Sequence, residues 1–167
     1  MRGRIALLAA SAFMLLASPH IIPNTPLFVW NVSPSVRVGL YHVVRRSPRR
    51  GDLVLVDLSE HVRKLTTARR YLAPRSLLIK PVAAIGGHRV CRLGSRVWIS
   101  GHLGVTAHAA DALDRPLPTW HGCRILSSTQ LFVVGPSTDS FDSRYFGPIH
   151  VRSVVGIAIP IWTVPTN

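Results

Sequence analysis

Glycine and proline punctuate this chain so densely that no long regular element fits between them. Twelve Gly and thirteen Pro are spread over 167 residues, and short apolar runs recur between them at intervals of roughly ten residues. Residues 53–58, 77–85, 89–93, 96–100, 105–109, 131–134 and 151–161 read as strands. Residues 59–72, with charges irregularly spaced among Ala and Leu, form the one segment expected to hold a helix. Short strands bounded by turn residues predict a mainly β, antiparallel domain. The length suits one hydrophobic core better than two.

Two arginines, Arg2 and Arg4, precede an uncharged apolar stretch that begins at Ile5 and ends near Ile22. Positive charge before an apolar segment sets that end in the cytoplasm. At roughly 18 residues the stretch is short for a membrane span and long enough for a secretory signal. No small-x-small cleavage site follows, because Ala17-Ser18 runs into Pro19. Residues 1–22 are therefore read as an N-terminal transmembrane or signal-anchor helix, retained in preference to removed. Residues 23–30 are read as a linker and 31–167 as an exported domain.

Export bears on the two cysteines, Cys91 and Cys123. In an oxidising compartment a lone pair in one small domain is expected to form a disulfide. The loop it would close, about 32 residues, corresponds to about 3–4 kcal/mol in the chain-entropy model. Two free core cysteines are the alternative. A metal site at either cysteine is not expected.

The charge balance is 20 Lys+Arg against 7 Asp+Glu, which by itself suggests an anionic partner. The basic residues are scattered as singles and pairs, however, without a run of five or an aromatic-interleaved stretch. No nucleic-acid partner is expected on that pattern; solvation, and contact with anionic lipid headgroups, fit it better.

Lys64 and Lys80 are the only lysines. Lys64, in Val62-Arg63-Lys64-Leu65-Thr66, reads as an ordinary solvated side chain, whereas Lys80 lies inside the apolar run 77–85. Burial disfavours a charged amine and lowers its pKa, which arginine cannot match because it stays protonated. A neutral lysine can take the proton of a serine nucleophile. The other reading of Lys80 is a side chain snorkelling from a strand edge. Ser35, followed by Gly39, would on its own pass for a turn serine. None of the eight histidines lies in a pattern that pairs it with a serine, although such pairings are spatial and stay open in a sequence.

Three segments carry more. They are Asn31-Val32-Ser33-Pro34-Ser35-Val36-Arg37-Val38-Gly39-Leu40-Tyr41, the run 77–85 around Lys80, and Ser140-Phe141-Asp142-Ser143-Arg144-Tyr145-Phe146-Gly147-Pro148. Together they resemble the TraF-like conjugative-transfer branch of the type I signal peptidase superfamily, and the third match is the longest. Asp114-Arg115-Pro116-Leu117-Pro118, the Cys91 and Cys123 pair, and Gly156-Ile157-Ala158-Ile159-Pro160 are similar to that branch too. The likeness thus spans residues 31–162. It departs at Arg37, where the box usually has Pro, at Pro81, a common Arg, and at Gly87, often acidic.

The resemblance implies a signal-peptidase-like β domain acting as a serine endopeptidase. Ser35 would be the nucleophile and Lys80 the general base, within hydrogen-bond reach of each other. Ser33 would lend its hydroxyl to the oxyanion hole beside the Ser35 N–H, Ser140 would orient the lysine, and Asp142 and Arg144 would brace the site. It implies no metal or organic cofactor. It also implies a prepilin or other exported precursor as partner, at the bacterial inner membrane with the catalytic domain in the periplasm, and in some members cleavage coupled to cyclisation. A general signal peptidase is a rival, disfavoured because no large insertion separates Ser35 from Asp142. A non-catalytic exported scaffold and a basic DNA-contacting transfer protein are rivals from other classes.

Overall fold

Alternating burial along β2 (Gly39–Val44) shows how this chain makes sheet: every second side chain faces a core and the others stand half-exposed. The computed structural model describes residues 25–165, and the expected anchor at 1–22 lies outside them. Around β2 the other strands are β1 (Phe28–Asn31), β3 (Leu53–Val56), β4 (Leu78–Ala84), β5 (Arg89–Leu93), β6 (Arg96–Ile99), β7 (His102–Thr106), β8 (Gly122–Ile125), β9 (Gln130–Val133), β10 (Ile149–His150) and β11 (Val154–Thr163). Helix α1 (Glu60–Ala68) connects β3 to β4, and the single turn α2 (Ser143–Phe146) precedes β10. No helix among the described residues is long and apolar enough to cross a membrane.

Two antiparallel sheets result. The larger runs β1-β2-β11-β3-β4-β9-β10 and the smaller β7-β6-β5-β8. The last strand, β11, lies between β2 and β3, so the large sheet closes only when the end of the chain returns to its beginning. Gly39 permits that return: a Cβ there would collide with the Trp162 carbonyl on β11, and its φ of 153° suits glycine. Val54, Val56, Val82 and Val133 fill a core beneath the centre of the large sheet. Ala84, Val90, Val97 and Phe132 join the two sheets. Cys91 and Cys123 stand directly opposite each other on β5 and β8 and are disulfide-bonded, as expected.

Several expected boundaries move. Residues 28–30, read as linker, begin β1, because Phe28 to Asn31 pair with His42 to Gly39 across the sheet edge. The strand expected at 105–109 is β7, shifted toward the N-terminus and bulged against β6. Strand β8 has no counterpart among the expected strands; all four of its residues are exposed, so no apolar run announces it.

Candidate active site

Asn31, at the end of β1, shapes the loop that carries Ser35. Its Oδ1 accepts from the Ser33 N–H at 3.1 Å, and its Nδ2 donates to the carbonyls of Ser33 (2.8 Å), Val36 (3.2 Å) and Arg37 (3.0 Å). From the other side the Tyr41 hydroxyl donates to the Arg37 carbonyl at 2.6 Å. The turn is thus pinned by side chains from both flanking strands, and Arg37, in place of proline, is held twice through its carbonyl. Ser35 is 8% exposed. Its Oγ lies 3.0 Å from Ser33 Oγ, and its N–H donates to that same oxygen at 3.4 Å.

Lys80 comes from β4, which lies between β3 and β9 and so is not an edge strand. Leu78 and Lys80, two residues apart, share one face and line the same cavity. With 2% exposure Lys80 does not snorkel. Its Nζ donates to Ser140 Oγ at 2.7 Å. Burial lowers its pKa to about 8; the Asp142 carboxylate raises it and the Arg144 guanidinium lowers it further. The structure brings Ser35 and Lys80 to one cavity, while the hydrogen bond expected between them is not formed. The Ser35 hydroxyl is engaged by Ser33 and the Lys80 ammonium by Ser140.

Asp142 and Arg144 form a buried pair, 0% and 1% exposed. Arg144 Nε donates to Asp142 Oδ1 at 2.8 Å and Nη2 to Oδ2 at 3.0 Å. The rest of the guanidinium donates to the carbonyls of Thr106 (3.3 Å), Thr138 (3.0 Å), Gly135 (2.8 Å) and Ser137 (3.1 Å). Asp142 also accepts from the backbone N–H of Gly135 (2.8 Å) and of Arg144 (3.1 Å), capping α2. The pair therefore fixes the segment 135–140 that presents Ser140 to Lys80. Gly135 is required there, since a Cβ would overlap Ser140 Oγ and press toward the Ser35 carbonyl.

Ser33, Ser35, Lys80 and Ser140 share a cavity of about 450 Å³, walled by Leu72, Leu78, Leu117, Phe141 and Tyr145. Among the described residues no arginine lines it, in a chain with eighteen. His108 lines the cavity as well, and its Nε2 lies 3.5 Å from Asp139 Oδ1. Among the described residues no histidine hydrogen-bonds Ser35. Asp111 stays ionised: burial would raise its pKa, but the Tyr71 hydroxyl, Arg115 and the Leu113 N–H hydrogen-bond it and hold it below the usual carboxylate range.

Asn31, Tyr41 and Gly135 carry structural duties the sequence reading did not assign. The first two stand at the ends of the motif around Ser35, where an amide and a phenol beside a turn are the signal for such a duty. Gly135 bears no sign in the sequence, because the Ser140 side chain that meets it is folded back on it by the buried pair that fixes the segment 135–140.

Residues 2–163 match the family described as signal peptidase, peptidase S26. The chain is 33% identical over 144 residues to a probable conjugal transfer protein TraF of Sinorhizobium fredii, with 80% of this chain and 76% of that protein aligned. It is 35% identical over 144 residues to a conjugal transfer protein TraF of Agrobacterium fabrum, covering 80% of this chain and 81% of the relative. Among solved structures, a signal peptidase I from Enterococcus faecalis V583 aligns with 67% of this chain and 97% of its own, at 19% identity and a TM-score of 0.38.

Proposed function

This chain belongs to the signal peptidase family, peptidase S26, and from that premise we propose that it is a serine endopeptidase using Ser35 as nucleophile and Lys80 as general base. The observation that carries the reading is Lys80 itself, a buried lysine with its pKa lowered to about 8 in the cavity that holds Ser35. A lysine buried in an apolar strand costs stability, and a perturbed, buried amine in a cavity is the mark of a functional group more than of a structural one. That argues for an enzyme over a non-catalytic scaffold. An arginine-free cavity beside Ser35 argues against a phosphate-binding groove.

In the proposed reaction Ser35 Oγ exchanges its hydrogen bond to Ser33 for one to neutral Lys80 and attacks the scissile carbonyl. Lys80 Nζ takes the serine proton and Ser140 Oγ holds the resulting ammonium. The oxyanion is met by the Ser35 N–H and the Ser33 hydroxyl. The proton passes from Lys80 to the departing amine, leaving an acyl ester on Ser35. Water then releases the acid, or an amine of the substrate itself displaces the ester and closes a ring.

The names of the relatives support a role in conjugative transfer, with an exported precursor, a pilin subunit foremost, as substrate. Membrane association is supported by an uncharged outer face on the β1-β2-β11 edge. Phe28, Trp30, Ile159 and Trp162 are each between 43% and 55% exposed there, and the two tryptophans stack with ring centroids 5.6 Å apart. Orientation with the domain in the periplasm follows from the arginines that precede the apolar N-terminal stretch.

The test is precursor processing by Ser35→Ala and Lys80→Arg. Both should fall by about a thousandfold or more, because alanine has no nucleophilic oxygen and guanidinium keeps its proton. Only deprotonated Lys80 is a base, so parental activity should climb about tenfold per pH unit below about 8 and level off above it. A folded Lys80→Arg protein that processes at close to the parental rate overturns the assignment.

A further inference from the structure

The outer face of the small sheet takes no part in the chemistry above, and its composition is unusual for this chain. Register fixes which side chains stand on it. Cys91 lies opposite both Trp98 and Cys123, Arg89 opposite Ile125, and Leu93 opposite Arg96. Cross-strand partners share a face, so these seven form one surface. The other face, with Val90 and Val97 at 0% exposure, is core. On the outer face Leu93 is 76% and Ile125 62% exposed, and Arg89 and Arg96 reach solvent. On this side lies a recess of about 440 Å³ lined by Arg89, Arg92, Leu93, Trp98, His121 and the disulfide. None of the four strands carries an Asp or Glu.

We propose that this face docks an acidic protein segment that lays an aliphatic side chain in the recess and its carboxylates on Arg89 and Arg96. Tryptophan and arginine around a desolvated pocket are the residues on which interfaces concentrate their affinity. Arginine also grips carboxylates with two parallel hydrogen bonds. The positive charge is uncompensated within the sheet, so the complementary partner is negative. Two arginines are too few to track a nucleic-acid backbone. A bilayer suits the uncharged β1-β2-β11 edge, whereas this face sets its exposed Leu93 and Ile125 among arginines around a recess that can receive a side chain from its partner. The disulfide ties β5 to β8 across the middle of the surface, so little ordering is left to be done on binding.

The experiment uses the full chain in detergent and three fluorescent synthetic peptides, alternating Glu-Leu, Glu-Ser and Lys-Leu, followed by anisotropy. The Glu-Leu peptide should bind and the other two should bind at least about tenfold more weakly. Arg89→Glu with Arg96→Glu should weaken the Glu-Leu peptide by about tenfold or more, and Leu93→Ser or Trp98→Ala by about threefold to fivefold. Arg49→Glu with Arg50→Glu, the same change of net charge on exposed residues elsewhere, should stay within about twofold. Equal losses in the two double variants, or equal binding of Glu-Leu and Glu-Ser, would overturn the proposal in favour of net charge alone. Loss of binding to phosphatidylglycerol vesicles in the Arg89/Arg96 variant, with peptide binding intact, would make the face a membrane contact. A dimer of the parental protein that the same variant dissolves would make it a self-association surface. Either result also overturns the proposal.

Discussion

Lys80 and Arg144 are both cations shut away from water, 2% and 1% exposed, and their surroundings treat them oppositely. Arg144 has a buried carboxylate in two-point contact and four backbone carbonyls. Every lobe of its guanidinium is occupied, so its charge is structural. Lys80 has one hydroxyl, Ser140 Oγ, for three N–H donors. Asp142 favours its charge from a distance, Arg144 opposes it, and desolvation dominates both. One carboxylate thus serves two cations unequally. The difference teaches that a buried charge surrounded by partners holds a fold, while one left short of partners is poised to give up its proton.

The comparison breaks most visibly if Arg144 is dispensable. Arg144→Ala strands the Asp142 carboxylate without its ion partner and frees the carbonyls of the 135–138 segment. Removing one member of a buried pair costs about 3–5 kcal/mol, which for a chain of this size is a fall in Tm of about 10 °C or more. A thermal melt showing a drop under about 3 °C would mean that the brace is ornamental.

Lys80→Met should move stability the other way. Its folded pKa, about 8, lies below the ordinary lysine value of 10.5, so the unfolded chain binds the extra proton between those values. The penalty is complete below pH 8 and is relieved as pH rises toward 10.5. At pH 7 the substitution should gain on the order of 2 kcal/mol in urea unfolding, with activity abolished. The gain should shrink when the same titration is run near pH 10. A loss of stability at pH 7 would show that Lys80 is a satisfied structural cation like Arg144.

Ser140→Ala sharpens the contrast at smaller cost. Its hydroxyl accepts from the charged form of Lys80, and losing that bond favours the neutral amine. The midpoint of the pH–rate profile should therefore shift down by about half a unit to one unit, with stability changed by less than about 1.5 kcal/mol. An unshifted midpoint would leave Ser140 without influence on the lysine.

How much of this was legible follows from where the determining contacts lie. The strands 53–56 and 78–84 are readable because their own residues are largely apolar and bounded by turns. Lys80 is readable because a lysine in such a run contradicts its setting. Strand β8, with all four residues exposed, is created by pairing with β5 and not by its own sequence. Ser140 meets Lys80 across sixty positions, so only resemblance to known proteins could connect them beforehand. The Ser33–Ser35 hydrogen bond is local, yet nothing in the string Ser33-Pro34-Ser35 says that Ser33 and not Lys80 engages the Ser35 hydroxyl.

The smallest effect tests whether position, and not residue type, makes Lys80 special. Lys64 sits on α1, 76% exposed, with its Nζ 2.7 Å from Glu60 Oε1 one turn earlier. The pair faces water, is screened by salt, and restrains two flexible side chains, so exposed pairs of this spacing contribute only about 0.3–0.5 kcal/mol. Lys64→Met deletes the charge by the same chemistry as Lys80→Met. It should lower Tm by no more than about 1–2 °C, leave precursor processing unchanged, and leave the pH–rate midpoint where it was. Opposite signs of stability change for one substitution at two lysines would isolate burial as the cause. If Lys64→Met also raised stability, the gain at Lys80 would reflect the chain's excess positive charge and the desolvation argument would fall.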